Sequence, residues 1–453
     1  MHQDEQLEAM VTMVRQGRLT RRNFLRRAVA LGITLPAATA ALGRVAAAEQ
    51  IKLSLWHQEN TPEAVAGFQT TLDQFNASQD GIVVEQQVND WQEIYGKLTG
   101  ALATGSQPDL AFTIPDHTVT IRQTGGVQPV DDIVTALNGK HRFIESYLTP
   151  YQYEDHVWAV PAFGLNHILW MRLDKLQEAG IEPPQTWDDL LAAAKALTKD
   201  GVYGIGLPAS THLYTDQALY DFMITNRAEE LFAEDGSVRF NNPQTVQALA
   251  FYKELYQYSP PDSTGWGFAE PVGSFINGTV AMTFHMGHLF NFWEEGTALP
   301  AEMLGGAPIP QPPGGQRGSV SYSNGIMLLT DKPERKQAAT TFLEWLFEPA
   351  NNGAWLANMT PGLFLPVTED ASEAETFWQQ PKIATFRPLV EMNIENAEYG
   401  KLYGFTGGVP NPSIGKISSQ NIIAKVVQKL VIDGATPEEA AEWGQKEMEA
   451  AIE

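Results

Sequence analysis

The sequence contains no cysteine among its 453 residues. Disulfides, thiolate catalysis and iron–sulfur clusters are therefore excluded, as is a lipidated cysteine that would tether the chain to a membrane. The motifs GxSxG, HExxH and GxGxxG, the Walker loop and the calcium loop are absent as well. We therefore expect a protein without a cofactor, without a metal site and without enzyme activity.

Positive charge is scarce, with 30 lysines and arginines against 54 aspartates and glutamates and a net charge of −24. The first 48 residues are themselves basic, so the remainder is more acidic still. This excess disfavours nucleic acid and anionic membranes as partners. After the N-terminus no run approaches the ~18 apolar residues of a membrane span, so we expect no membrane anchor.

Residues 1–48 have the pattern of an export signal. The stretch TRRNFLRR contains the pair Arg21 and Arg22 and resembles a twin-arginine signal. An apolar run over 28–42 follows, and then the alanines at 46–48, which fit a small-residue cleavage site. A buried N-terminal helix is the alternative, but it needs a polar face, and the apolar run offers only two threonines. We predict export to the periplasm by the twin-arginine route.

Short strands and amphipathic helices alternate after residue 49. IKLSLW, GIVVEQQV and PDLAFTI predict strands, with a helix opened by Thr61 and Pro62 and a second helix over 91–104 between them. The order predicts an α/β fold with mostly parallel sheets flanked by helices, whose ligands lie beyond the carboxyl ends of the strands. Two extended segments, YEDHVWAVPAFGLNHILWMRL and SVSYSNGIMLLT, predict crossings between two lobes.

Further elements are predicted in the second half of the chain. A strand is expected over 202–208, and helices are expected over 212–226, 243–258, 333–348 and 414–432. Thr186 with Asp189 and Thr436 with Glu439 are the capping boxes of two more helices.

Aromatic rings beside neutral polar groups follow several predicted strands, at 56–60, 89–91, 115–117 and 212–214. A sugar has an apolar C–H face that stacks on such rings and hydroxyls that donate and accept hydrogen bonds, so this composition favours a neutral carbohydrate or polyol. Three alternatives stay open. Each aromatic residue could be core packing, two carboxylates could form the pair of a hydrolase or lyase acting on a saccharide, and His285 and His288 could share a metal, although no acidic residue lies close by.

Several segments together resemble the extracellular solute-binding proteins of ABC importers, in the sugar-binding cluster that includes maltose-binding protein. They are LSLWHQ, ATGSQPDLAFTIPDH, WAVPAFGLNHILWMRLDKLQEAGIEPPQTWDDLL, FINGTVAMTFHMGH and the stretch from APIPQPPGGQRG to the helix ending in FLEWL. The match covers nearly the whole chain after the signal, and its motifs identify the family more strongly than the ligand.

The resemblance implies a two-lobed type II periplasmic binding fold with hinge strands between the lobes. The expected first lobe comprises 49–158 and 320–360, and the expected second lobe comprises 159–319 and 361–453. The lobes would close on a carbohydrate and present the closed form to the transmembrane permease subunits. A chemoreceptor is a second candidate partner, and a monomer is expected.

Ligand-binding residues are carried over from the family by motif and by position after the strands. Where maltose-binding protein has an Asp-Arg pair, this sequence has Asp116 and His117, and His288 stands where the family often has a tryptophan. These departures disfavour a long maltodextrin, and the scarcity of arginine disfavours a phosphorylated ligand. The expected ligand-binding residues are His57, Gln58, Glu59, Asn60, Asp90, Asp116, His117, Phe163, Asn166, His212, Tyr214, Trp266, His288, Asn324 and Tyr403.

Overall fold

The computed structural model describes residues 3–15, 19–46, 50–91, 93–406 and 409–453. Its strands are β1 Ile51–His57, β2 Ile82–Val88, β3 Leu110–Thr113, β4 Gln152–Tyr153, β5 His156–Val157, β6 Val160–Asn166, β7 Ile168–Arg172, β8 Met282–His285, β9 Leu304–Ala307, β10 Ser319–Leu328, β11 Gly400–Lys401, β12 Phe405–Thr406 and β13 Val409–Pro410.

The α-helices lie between and around these strands. They are α1 Gln3–Arg15, α2 Arg21–Ala30, α3 Leu35–Ala46, α4 Pro62–Ser78, α5 Ile94–Thr104, α6 Pro115–Arg122, α7 Asp131–His141, α8 Glu145–Leu148, α9 Leu173–Ala179, α10 Trp187–Leu197, α11 Leu213–Thr225, α12 Pro243–Tyr256, α13 Ala269–Ile276, α14 Trp293–Thr297, α15 Pro333–Leu346, α16 Pro349–Met359, α17 Glu369–Ser372, α18 Glu375–Trp378, α19 Pro381–Thr385, α20 Arg387–Asn396, α21 Ile414–Ser418, α22 Ile422–Val431 and α23 Pro437–Ile452.

The first lobe is built on a six-stranded sheet in the order β11-β10-β3-β1-β2, with β6 also paired to β10. β1 pairs in parallel with β2 and β3, whereas β10 runs antiparallel to β3 and β6. Thr61 caps α4, and Phe68 and Leu72 on that helix are fully buried against the sheet. The parallel strands therefore place the residues after β1 and β3 at one edge of the sheet.

The second lobe has a three-stranded sheet in the order β8-β7-β9, in which β7 pairs antiparallel with both neighbours. The predicted strand over 202–208 forms only isolated bridges, which are parallel from Tyr203 to Val280 and from Gly206 to Thr283 and antiparallel from Val202 to Lys199. Helices α11, α12, α22 and α23 pack together around this sheet and share one hydrophobic core with it. The C-terminal helices thus belong to the second lobe.

The chain crosses between the lobes at places that differ from the expected boundaries. β6 pairs with β10 in the first sheet and β7 pairs with β8 in the second, so the first crossing lies at 166–168 rather than at 158. Leu365 bridges Gly164 and Thr368 bridges Phe143, so the segment after 360 still packs on the first lobe. β6 remains in the first sheet as far as Asn166 because it is paired with β10 up to that residue.

The N-terminal segment forms a separate helical unit. α1, α2 and α3 enclose a small core that includes Met10, Val14, Phe24 and Ala38. Thr20 caps α2 by accepting a hydrogen bond from the backbone N–H of Asn23. The predicted apolar run is thus divided between two helices, and whether it acts as an export signal stays a prediction.

Most predicted helices are present, including the capping boxes of Thr186 and Thr436. The single helix predicted over 414–432 is wrong: α21 and α22 are separated at Asn421, whose φ is 48°. The helix breaks at Asn421 because asparagine tolerates the left-handed conformation. Among the described residues, none of the helices combines the length and the apolar character needed to cross a bilayer.

Candidate functional site between the lobes

The loop after β1 contributes Gln58 and Glu59, which are buried, and Asn60, which is exposed. The Glu59 carboxyl accepts a hydrogen bond of 3.1 Å from the Asn324 side chain on β10. Burial raises the pKa of Glu59 to about 8, although the hydrogen bond from Asn324 opposes the shift. At neutral pH this carboxyl group is therefore mostly protonated and can both donate and accept.

His57 ends β1 on the face that points into the first-lobe core. Its ring packs edge-on against Phe68 at 5.3 Å, and its Nε2 lies 2.7 Å from Gln86 Oε1. Burial lowers the pKa of His57, so the ring is neutral. The structure places this predicted ligand residue in the core, as it does Phe163, whose ring lies 4.4 Å from that of Phe364.

Asp116 lies in the first turn of α6 and reaches the second lobe. Its Oδ2 accepts a hydrogen bond of 2.7 Å from the hydroxyl of Ser418, the last residue of α21. Its Oδ1 is buried and has no hydrogen-bond partner. His117 follows, partly buried, with its ring 5.0 Å from that of Tyr95. One oxygen of the Asp116 carboxyl group therefore bridges the two lobes, and the other has no hydrogen-bond partner.

Two buried tyrosines lie beside this bridge, Tyr322 on β10 and Tyr403 after β11. Burial raises the pKa of Tyr322, and the nearby carboxylates of Asp116 and Asp216 raise it further. Burial also raises the pKa of Tyr403, with smaller contributions from Tyr322 and the two acidic groups, and its hydroxyl lies beside that of Tyr322. Asp116 of the first lobe and Asp216 of the second lobe therefore both lie near these two tyrosines.

α11 supplies the second-lobe residues of this region. Gln217 lies beside Tyr322, and its Oε1 is buried without a partner. Asp216 accepts a short hydrogen bond from the backbone N–H of Ala424 in α22. The start of α11 and the α21–α22 segment are thereby fixed to each other.

A row of aromatic rings extends from the start of α11 towards the surface. The His212 ring packs edge-on against Phe268 at 4.9 Å, and Phe268 lies 5.6 Å from Tyr214. The His288 ring lies 5.0 Å from that of His285, and burial lowers the pKa of His288 to about 4. The histidines of this row are therefore neutral at physiological pH.

The remaining predicted residues have structural contacts. Tyr214 is fully buried and donates its hydroxyl hydrogen bond to the Phe284 carbonyl, and Trp266 is buried against Gly206. Asn166 is buried and hydrogen-bonded at the point where the chain crosses between the lobes. Asp90 is exposed after β2, and its carbonyl accepts from the Ile94 N–H at the start of α5.

The structure thus brings together Gln58, Glu59, Asp116, Asn324 and Tyr403 of the predicted set near the boundary of the lobes. Sequence reasoning missed Ser418, Gln217 and Tyr322. The aromatic–polar pattern around Tyr322 in SVSYSNG was a usable signal. Ser418 had none, because it is 302 residues from its partner Asp116.

Three buried oxygens in this region lack a hydrogen-bond partner: Gln58 Oε1, Asp116 Oδ1 and Gln217 Oε1. Amide and carboxylate oxygens only accept, so a molecule that satisfies them must donate several hydrogen bonds. Within the described ranges no cluster of three or more metal-binding side chains occurs, which includes the surroundings of His285 and His288. The arrangement suits a hydroxyl-rich molecule flanked by tyrosine rings.

The family described as bacterial extracellular solute-binding protein matches residues 58–353 of the chain. YcjN of Escherichia coli (strain K12), named as an ABC transporter periplasmic-binding protein, is 23% identical over 418 residues, which cover 89% of this chain and 93% of YcjN. A solute-binding protein of Thermotoga lettingae TMO bound with α-D-tagatose superimposes with a TM-score of 0.72 and 20% identity, covering 89% of this chain and 100% of that one.

Maltose-bound MalE3 of T. maritima superimposes with a TM-score of 0.71 and 18% identity, covering 88% of this chain and 99% of that one. At these identities the solved structures establish the fold, and the predicted two-lobed α/β architecture is confirmed.

Proposed function

Because the chain belongs to the family of bacterial extracellular solute-binding proteins, we propose that it is the periplasmic solute-binding component of an ABC importer and that its ligand is a neutral carbohydrate or polyol. The observation that carries this proposal is the Asp116–Ser418 bridge between the lobes, set among buried acceptor oxygens and tyrosine rings. Relatives and neighbours in fold are named for periplasmic transport and bind tagatose or maltose.

The charge of the site supports a neutral ligand rich in donors. Asp116 and Asp216 present carboxyl groups, and burial raises the pKa of Asp216 well above its usual range. Glu59 is a protonated acid, and burial lowers the pKa values of His212 and His288. A phosphate is typically bound by arginine or lysine, and none of the candidate residues is either of these. Sugar hydroxyls donate to the free acceptors without carrying a negative charge into the cleft.

Closure of the lobes supplies affinity and discrimination. Once water is excluded, each unpaired buried acceptor is costly, so a sugar whose hydroxyls miss these positions binds weakly. The closed form would be the one recognised by the permease, and a chemoreceptor is a further partner for it. No bond of the ligand is broken, so the proposed protein is a carrier rather than a hydrolase, and it acts as a monomer.

Export is part of the proposal. Residues 1–48 would direct the chain to the periplasm by the twin-arginine route. Substitution of both Arg21 and Arg22 by lysine should leave the protein in the cytoplasm, as cell fractionation would show. Periplasmic accumulation of that variant would remove the twin-arginine assignment.

Isothermal titration calorimetry tests the ligand class. The panel should include D-tagatose, ribitol, D-mannitol, maltose and an arabino-oligosaccharide, with glucose 6-phosphate as the charged control. We expect at least one neutral member to bind at a ratio near one to one and the phosphate ester to give no heat. Binding of the phosphate ester alone would contradict the proposal. Mass spectrometry of the ligand recovered afterwards should show it intact, whereas a cleaved product would favour the hydrolase alternative.

A further inference from the structure

The connections between the two lobes meet in a buried group of polar side chains. One connection is the crossing at 166–168, the second is the start of β10, and the third follows α20 and leads to β11, which pairs with β10 at Ser319. We call the side chains that join them the hinge network: Asn166, His167, Asp221, Ser319, Ser321 and Asn396. Each is at most 5% exposed.

Asp221 on α11 holds two of the connections at once. Its Oδ2 lies 2.7 Å from His167 Nδ1, and its Oδ1 accepts a hydrogen bond of 2.8 Å from the backbone N–H of Val320. The backbone N–H of His167 in turn donates to the Val320 carbonyl at 3.0 Å. One carboxyl group thus contacts β10 through Oδ1 and the crossing at 166–168 through Oδ2.

Asn166 and Asn396 link the third connection to the other two by hydrogen bonds. Asn166 accepts from the Ser321 hydroxyl at 2.6 Å and donates to the Asn393 carbonyl at 2.8 Å. Asn396 donates to the Ser319 hydroxyl at 2.8 Å and to the His167 carbonyl at 3.3 Å. Side-chain hydrogen bonds therefore join every pair of connections.

We propose that the hinge network sets the relative orientation of the lobes, with His167 and Asp221 as positioning residues for closure. The inference rests on the proposed function only in that the lobes close on a ligand. Buried hydrogen bonds are made in a small number of discrete geometries, so a network that spans all three connections restricts the angles the hinge can adopt. Without it, the lobes are joined by backbone segments that bend more freely.

Asp221→Asn tests the proposal with little change in shape. The new amide keeps one oxygen as an acceptor for the Val320 N–H but replaces the other oxygen by an NH2 group, so the contact with His167 Nδ1 is remade or lost. Asp131→Asn is a matched control, because Asp131 also holds a histidine Nδ1, that of His156 at 3.0 Å, and a backbone N–H, that of Val157 at 3.0 Å. That pair is half-exposed and joins α7 to β5 within the first lobe.

Because the protein contains no cysteine, thiol-reactive spin labels attach only to the cysteines that are introduced. Spin labels on Thr70→Cys in α4 and Ala250→Cys in α12, both exposed, report the separation of the lobes by double electron–electron resonance. In the ligand-free protein we expect Asp221→Asn to broaden the distance distribution about twofold, while Asp131→Asn leaves it unchanged. Equal distributions in the two variants would overturn the proposal.

A purely structural role for Asp221 would lower the melting temperature without widening the distribution, and that outcome also contradicts the proposal. If Asp221→Asn does not fold, Ser321→Ala provides the same readout, because it removes the link from β10 to Asn166 while the Tyr147 hydroxyl, at 3.0 Å, keeps the Asn166 oxygen paired. An unchanged distribution in Ser321→Ala would then overturn the proposal. Since the measurement needs no ligand, failure of the carbohydrate assignment would leave its result intact.

Discussion

Replacement of Asp116 by alanine is expected to weaken ligand binding while leaving the fold intact. The carboxylate is 5% exposed, accepts from Ser418 in the other lobe and has one buried oxygen without a partner. In the closed complex it would therefore accept two hydrogen bonds, one from Ser418 and one from the ligand. Asp116→Ala removes both and leaves the Ser418 hydroxyl unpaired.

The magnitude follows from the charge of the acceptor. A hydrogen bond to an ionised group contributes about 1.5 to 3 kcal/mol, and some of this is recovered when water solvates the open lobes. We expect a net loss of about 1.4 to 3 kcal/mol, which raises the dissociation constant roughly ten- to hundredfold. Stability should change little, because the side chain packs at the first turn of α6 rather than in either hydrophobic core.

Calorimetry with the best sugar from the panel measures the affinity, and thermal melting measures the stability. Asp73→Ala, an exposed change in the same lobe, is the control and should match the wild type. An affinity for Asp116→Ala within twofold of that control would refute the assignment of Asp116 to the site. A large drop in melting temperature would show instead that the residue stabilises the fold.

Three further predictions concern titration and the bridge between the lobes. The raised pKa of Glu59, about 8 against 4.5 in the unfolded chain, means that its stabilising contribution is complete below pH 4.5 and is lost as the pH rises to 8. Glu59→Gln should therefore melt higher than the wild type at pH 9 and alike at pH 4.5, and parallel curves would contradict this. His288 is neutral in the fold with a pKa of about 4, so it destabilises the protein as the pH falls from 6.5 to 4. Urea unfolding should show His288→Gln losing less stability than the wild type between pH 7.5 and pH 5, and equal losses would disprove it. Ser418→Ala should cost about 1 kcal/mol of ligand affinity by calorimetry, less than Asp116→Ala, because the carboxylate keeps its contact with the ligand. An effect larger than that of Asp116→Ala would contradict the order.

Local patterns predicted where the first-lobe residues of the candidate site lie in the fold. The alternation of β1 and the cap at Thr61 place 58–60 at the end of a parallel strand, and Gln58 and Glu59 lie there. The same alternation puts His57 on the face of Leu53 and Leu55, so period two alone could have assigned its ring to the core.

The second-lobe side depends on contacts that no local pattern encodes. Ser418 and Asp116 meet across 302 positions, and Asp221 meets Val320 across 99. Phe163 and Asn166 lie on a strand that is buried on both faces, where an aromatic or amide side chain has the same sequence appearance whether it binds a ligand or packs. Whether such a residue binds a ligand or packs in the core can be assigned only when its contacts with the opposite lobe are known.

The most direct measurement is mass spectrometry of the small molecule released by denaturation from protein purified out of the periplasm. The account predicts an intact, uncharged sugar or polyol in a ratio near one to one. A phosphorylated compound, an amino acid or a cleaved saccharide bound at that ratio would contradict it.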